Sequence, residues 1–455
     1  QGDVAVVKGY YRLIDIADGS AVTMEAILAP HRRRTVQRMK AQSVVLCIQD
    51  GTDLNYSGMA QCQGLGVIGA NQTGAHSAGL HLHSTLVVST AGVPLGVLGA
   101  QCSAATPKAK DDRRAAAAVP IEEKKTFAWI KGLRQCTELA VDLPDTRQVC
   151  VMDREADIFE LFDEQRHTRS VDLLVRAKHD RATNDELHLF ASVRQSPVQS
   201  QLRINVPRQS SRPKKSKQKA RTGREQRMAQ VDLRYRRIVF RPPSNHQARE
   251  PITVWVVHVL ETSPPADATP VEWFLLTTRE ITQRGQAQDC VRWYCLRWRI
   301  EDWHRVLKSG CRIEALQHKT ADRLTRAIGI NLVIAWRIML MTLLGRECPE
   351  LPATVLFSDL EIEVLHAYAK KRHRPAHPAW RCRASGRPPR RIPRSCPRSA
   401  PGTPTDVARL FAAANAVRRL LPQRVEFELK YLRVKGRASP RPAGPSKRSS
   451  GVPSG

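Results

Sequence analysis

The chain lacks paired cysteines: its eleven Cys sit singly, with no CxxC and no CxxxxH spacing. That spacing argues against a zinc site and against a disulfide framework, and it fits a reducing bacterial cytoplasm. Membrane-length apolar runs are missing too. The longest, Ile328 to Leu344, is interrupted by Asn331, Arg337 and Thr342, so no membrane partner is expected. There is no signal peptide and no initiating Met; the chain opens at Gln1. Acidic residues are scarce, with 43 Asp+Glu against 73 Lys+Arg, a formal charge of +30. Such an excess favours a polyanionic partner, because Lys and Arg displace counterions from phosphates. Residues 372–455 alone hold 20 Lys+Arg against 3 Asp+Glu, so that segment carries +17 and residues 1–371 carry +13.

At 455 residues there is room for two or three domains. VVLCIQD (44–50) reads as a buried strand ending in a carboxylate. LHSTLVVST (82–90) and VPLGVLGA (93–100) are the next strand signals, joined by a short Ala-Gly turn, which implies an antiparallel meander. Ile121 to Gln135 has the period of an amphipathic helix, with Phe127, Ile130 and Leu133 apolar. RQVCVMDREAD (147–157) is a second buried strand ending in Asp, residues 158–165 are helical, and VDLLVRAKH (171–179) is a strand. Then comes a basic, loop-like run, PRQSSRPKKSKQKARTGREQR (207–227), between the strand signals VDLRYRRIVFRP, ITVWVVHVLE and VEWFLLTT. A solvated loop is the bland reading of that run; contact with DNA is the reading favoured by the net charge. Long apolar helices are predicted at 320–345 and 359–370. After Lys371 the sequence turns Arg/Pro-rich, and Pro at that density blocks helix and interior strand.

The run YCLRWRIEDWHRVLK (294–308) carries the sharpest signal. It sets Tyr294, Arg297, Glu301 and Lys308 at near-whole helical turns, so all four are predicted to project from one helix face. A carboxylate flanked by two cations and a phenol suits a place where a metal ion meets a nucleic-acid phosphate.

The pattern Y-x2-R-x3-E-x6-K resembles the signature of the DDE transposases of the insertion-sequence-four family. IQDGTDLNYSG resembles that family's first-Asp block, with Gly51 where Thr is usual, and CVMDREADIFELF its second. The likeness spans residues 10–371. It implies an α/β fold: an RNase H-like catalytic domain on a mixed sheet, with a β-rich insertion and a C-terminal helical region. The expected divisions are a remnant of an N-terminal DNA-end-binding region (1–40), the core's first part (41–202), the insertion (203–275), the catalytic helix (276–320), a helical region (321–371) and the tail (372–455). The tail lacks the apolar, Trp- and Gly-bearing helices that the family would place there. Its Arg/Pro/Ala/Ser excess is what a GC-rich gene translated out of frame gives, and a disordered basic tail is the other reading.

The resemblance implies that Asp50, Asp153 and Glu301 are catalytic and hold two Mg²⁺ ions (Mn²⁺ substituting) about 4 Å apart on either side of a phosphate. Asp157 and Glu155 are nearby decoys whose charge suits a helix N-terminus. Tyr294, Arg297 and Lys308 are implied phosphate contacts, and Arg176 and Lys178 match a DNA-touching block. Trp273, 21 residues before Tyr294, stands where the family stacks a Trp on a flipped base, and Trp298 is a further DNA-side aromatic. His81, His83, His304 and His318 suggest a metal, but no third ligand is evident. The implied activity is cut-and-paste transposition by a homodimer on double-stranded DNA: end nicking, hairpin formation and strand transfer, in the bacterial cytoplasm and on the nucleoid when bound. Two rival readings stand beside it: a DNA-binding remnant that blocks intact transposase, and an RNase H-like nuclease that does not transpose.

Overall fold

The computed structural model describes residues 2–363 apart from 71–75, 106–118, 209–210, 212–222, 224, 267 and 350. The tail from 372 and most of the basic run at 207–227 therefore lie outside the described residues, and the helix expected at 359–370 lies there in part.

Among the described residues, ten strands form one sheet. Its first half comprises β1 (Val44–Asn55), β2 (Gly66–Ala70), β3 (His76–Ser89), β4 (Pro94–Ser103), β5 (Arg147–Met152) and β6 (Val171–Arg176). Strand β3 pairs antiparallel with β1 on one edge, and with β2 and β4 in succession on the other. Strands β1, β5 and β6 run parallel. The order β4-β3-β1-β5-β6 within a mixed α/β sheet is consistent with the expected RNase H-like domain.

The buried runs Val45–Ile48 and Val149–Met152 explain why β1 and β5 sit centrally: apolar on both faces, they must be covered on both. Helix α3 (Phe127–Leu139) covers one face, where Trp129 packs edge-on against His83. Cys47, Cys136 and Cys150 fill that layer as free buried thiols. The other face is covered by α7 (Trp298–Arg305) and α8 (Ala321–Glu347). By length and composition α8 could span a membrane, contrary to the reading of its interrupted run, but 78% of its apolar window is buried inside the fold. It is a core helix: Trp303 donates to the Leu332 carbonyl and Trp336 to that of Pro94.

Helices α1 (Gly2–Ile14) and α2 (Met24–Met39) precede the sheet. Buried Arg326 of α8 holds the segment between them, donating to the carbonyls of Ile14, Ile16, Ala17 and Val22.

Several expectations are corrected. Strand β1 does not end at Asp50 but continues to Asn55, because β3 starts at His76 and pairs with it along its whole length. The short, glycine-containing β2 gave no strand signal. The helix expected from Ile121 opens as a single tight turn and becomes α-helical only at Phe127. The helix expected over 158–165 is α4 (Phe159–Thr168), the strand expected to reach residue 179 stops at Arg176, and α5 (Leu189–Arg194) comes after it. The remaining strands are β7 (Ser200–Val206), β8 (Arg227–Phe240), β9 (Ile252–Glu261) and β10 (Glu272–Thr277). Strand β10 pairs antiparallel with β6, so these strands extend the core sheet.

Candidate active site

Because side chains alternate along a strand, Asp50 faces α7 whereas Gln49, Gly51 and Asp53 face α3. Asp153 follows β5 directly and caps the turn Arg154–Ala156, accepting from the Glu155 amide at 2.8 Å. Parallel pairing of β1 with β5 brings the two aspartates to neighbouring strands. Glu301 comes from the first turn of α7.

The motif helix is not one continuous helix as expected. α6 (Arg284–Cys295) ends before a turn at Leu296–Arg297; α7 follows, and the chain then widens into a π turn over Val306–Gly310. The turn lets Arg297 reach the sheet. Its Nη1 is 3.2 Å from Asp50 Oδ2, and its Nη2 donates to Glu301 Oε1. Only 9% exposed, Arg297 bridges two carboxylates. Burial opposes its charge, but Tyr294, Asp50 and Glu301 outweigh that and strengthen its hold on the proton.

Burial pushes the Asp50 carboxyl up to about 6; Arg297 opposes the rise, while Asp153 and Glu301 add to it by like-charge repulsion. The three carboxylates therefore share one electrostatic space. Among the described residues no three Asp, Glu, His or Cys groups stand close enough to hold a metal as placed. The Arg297 guanidinium stands between two of these carboxylates, those of Asp50 and Glu301. Three hard oxygen donors whose repulsion a cation would relieve nevertheless suit a divalent cation in their chemistry.

The other expected residues divide into two groups. Tyr294, 6% exposed, packs edge-on against Trp273 with ring centroids 5.3 Å apart. The Arg176 guanidinium lies 5.8 Å from the Trp273 ring centre, so Arg176, Trp273 and Tyr294 form one cluster. Burial raises the Tyr294 phenol, against the pull of Arg297 and Arg176 and with a further push from Asp153. Lys178 is exposed beyond β6. Trp298 is 45% exposed, with Arg297 5.7 Å from its ring centre. Lys308, by contrast, points to the far end of β1, donating to the Asp53 carbonyl at 2.6 Å.

Sequence reasoning missed several neighbours. Asp157 is no mere helix-end charge. At 1% exposure it accepts from the backbone amides of Lys178 and His179 at 2.6 and 2.9 Å and pairs with Arg181. It thereby pins the loop that carries Lys178. His304 bonds Ser84, which lies opposite Asp50 in the β1–β3 register; burial, with Lys308 and Arg297 nearby, drops its pKa to about 3 and keeps it neutral. On the opposite face His81 holds Asp53 at 2.8 Å, and that bond holds the Asp53 carboxyl below its usual range. His83 is also driven to about 3 by burial. Gly51 is explained here: a Cβ at that position would lie 2.7 Å from His81 Cε1. The His-x-His spacing hinted at this pair, but its partner three residues after Asp50 became visible only through strand pairing.

Residues 69–337 match the family described as the transposase DDE domain. The chain belongs to this family. Asp153 and Glu301 fall within the matched segment, whereas Asp50 lies upstream of it. The transposase assignment implies a nuclease-type enzyme that acts on DNA and recombines it.

Proposed function

We propose that this transposase performs cut-and-paste transposition of an element of the insertion-sequence-four type: end nicking, hairpin formation and resolution, then strand transfer, by a homodimer on double-stranded DNA. The observation that carries the reading is the shared electrostatic space of Asp50, Asp153 and Glu301, delivered by β1, the end of β5 and α7.

Asp50, Asp153 and Glu301 would hold divalent cations, Mg²⁺ by preference and Mn²⁺ as a substitute. When bound, these supply acidification of an attacking water or 3′-hydroxyl and charge neutralisation at the leaving oxygen. The chain's own residues do the rest. Arg176 ends β6 and Lys178 lies just beyond it, and the two steer a phosphate towards Asp153; Arg offers a planar fork and Lys a point charge. Trp273 offers a flat face for an unstacked base, in a setting where base–aromatic stacking contributes roughly 1–3 kcal/mol. Tyr294 backs that face. Trp298, exposed beside Arg297, provides a second aromatic contact at the DNA side. Lys308, bonded to the Asp53 carbonyl of β1, is a further point charge for a phosphate.

The test is Asp153→Asn. Mg²⁺-dependent cleavage of a transposon-end duplex should vanish while binding of that duplex stays within about threefold, a shift below 1 kcal/mol. Cleavage retained in this variant would overturn the site. End cleavage without joining of the 3′-hydroxyl to target DNA would reduce the enzyme to a nuclease.

A further inference from the structure

We infer that Arg297 is the internal counter-ion of the carboxylate site, so that divalent cation and DNA bind to this chain as a linked pair. The inference rests on the metal-centre reading above.

The guanidinium touches a carboxylate of β1 and a carboxylate of α7 at once, bonding Asp50 Oδ2 at 3.2 Å and Glu301 Oε1. Those oxygens are the donors that a metal would need. Arginine cannot escape the conflict by losing its proton, since its charge is permanent. A cation entering the site therefore has to displace the guanidinium from at least one carboxylate. As placed, the described carboxylates are not gathered closely enough to ligate a metal.

A way out exists on the surface side. The Trp298 ring is 45% exposed and sits 5.7 Å from the guanidinium carbon. A rotation over that ring carries the charge out of the site while an aromatic face still stabilises it. Outside, a DNA phosphate offers the paired oxygens that replace the two carboxylates. Phosphate thus draws Arg297 off the carboxylates and frees them for the cation. By linkage, DNA must tighten cation binding by the same factor as the cation tightens DNA binding. The chain without DNA is then protected from idle metal loading.

The experiment is Mn²⁺ binding to the full chain at pH 8, read from the electron paramagnetic resonance of free Mn²⁺, with and without a mixed-sequence duplex at low salt. For the wild type, the duplex should tighten Mn²⁺ binding at least tenfold. Arg297→Gln should bind Mn²⁺ at least tenfold more tightly than the wild type without DNA, and the duplex should add little more. Arg297→Lys keeps the charge and should bind Mn²⁺ nearly as weakly as the wild type without DNA. Equal or weaker Mn²⁺ binding by a folded Arg297→Gln chain overturns the inference, and so does a wild type whose Mn²⁺ affinity ignores DNA. A wild type whose Mn²⁺ affinity ignores DNA overturns the inference even if the variant misfolds, and Mn²⁺ taken up by the duplex alone is subtracted in every case. Failure of every chain to bind Mn²⁺, with or without DNA, has a different signature: it removes the metal centre itself, and this inference with it.

Discussion

Replacing Asp50 with Asn should stabilise the cation-free protein at pH 8 while destroying its activity. The Asp50 side chain is 17% exposed, and its carboxyl is raised from 3.8 to about 6, by burial first, against Arg297 and together with Asp153 and Glu301. The folded state therefore holds a proton more tightly than the unfolded chain does. Between pH 3.8 and about 6 the native protein binds more protons, so stability falls as pH rises through that window. Above it the full penalty of the buried charge is present, and below it the penalty is gone. A shift of about two pKa units corresponds to roughly 3 kcal/mol, as an upper figure. Asn keeps the size and an acceptor for Arg297 but removes the charge. The variant's melting temperature should exceed the wild type's by roughly 3–5 °C at pH 8 with chelator present. The gap should close near pH 4, and Mg²⁺ added to the duplex-bound protein should raise the wild type but not the variant. Thermal unfolding by circular dichroism at the two pH values measures this. A variant less stable than the wild type at pH 8 without divalent ions would refute the reasoning. Agreement would show a site that gives up stability to hold charges for a ligand.

Arg326→Ala should cost about 3–5 kcal/mol, because it strands four carbonyls in the segment joining α1 to α2. Limited proteolysis should then cut near residue 16, and an unchanged digest would deny that Arg326 fastens this segment. Asp157→Asn should lower stability by about 3–5 kcal/mol through the broken pair with Arg181. It should also weaken DNA binding more than Asp153→Asn does, since the Lys178 loop loses its anchor; filter binding at two salt concentrations checks this. Trp336→Ala should cost about 3–5 kcal/mol in urea unfolding, since the ring is 2% exposed and donates to the Pro94 carbonyl.

What the sequence by itself determined was local. Continuous apolar runs announced β1, β5 and β6, because a strand buried on both faces has to be apolar throughout, and apolar-rich runs announced β8 to β10. The spacing of Tyr294, Arg297, Glu301 and Lys308 marked the helical segment that supplies the third carboxylate, and two strand-borne aspartates supplied the others. Where a backbone choice depended on a partner far along the chain, the sequence was silent. Strand β1 runs past Asp50 because β3 is there to pair with it, and polar GTDLN carries no such message. Strands β7 to β10 join the same sheet because β10 pairs with the side of β6 that β5 leaves open. Asp157 becomes a loop anchor only when the amides of Lys178 and His179 meet it. Arg297 reads as a phosphate contact in one dimension and becomes a counter-ion in three, since a turn at Leu296–Arg297 aims it between Asp50 and Glu301. Covalent spacing limits which side chains share a helix face. Which charges must live together is decided by burial, and burial belongs to the tertiary structure alone.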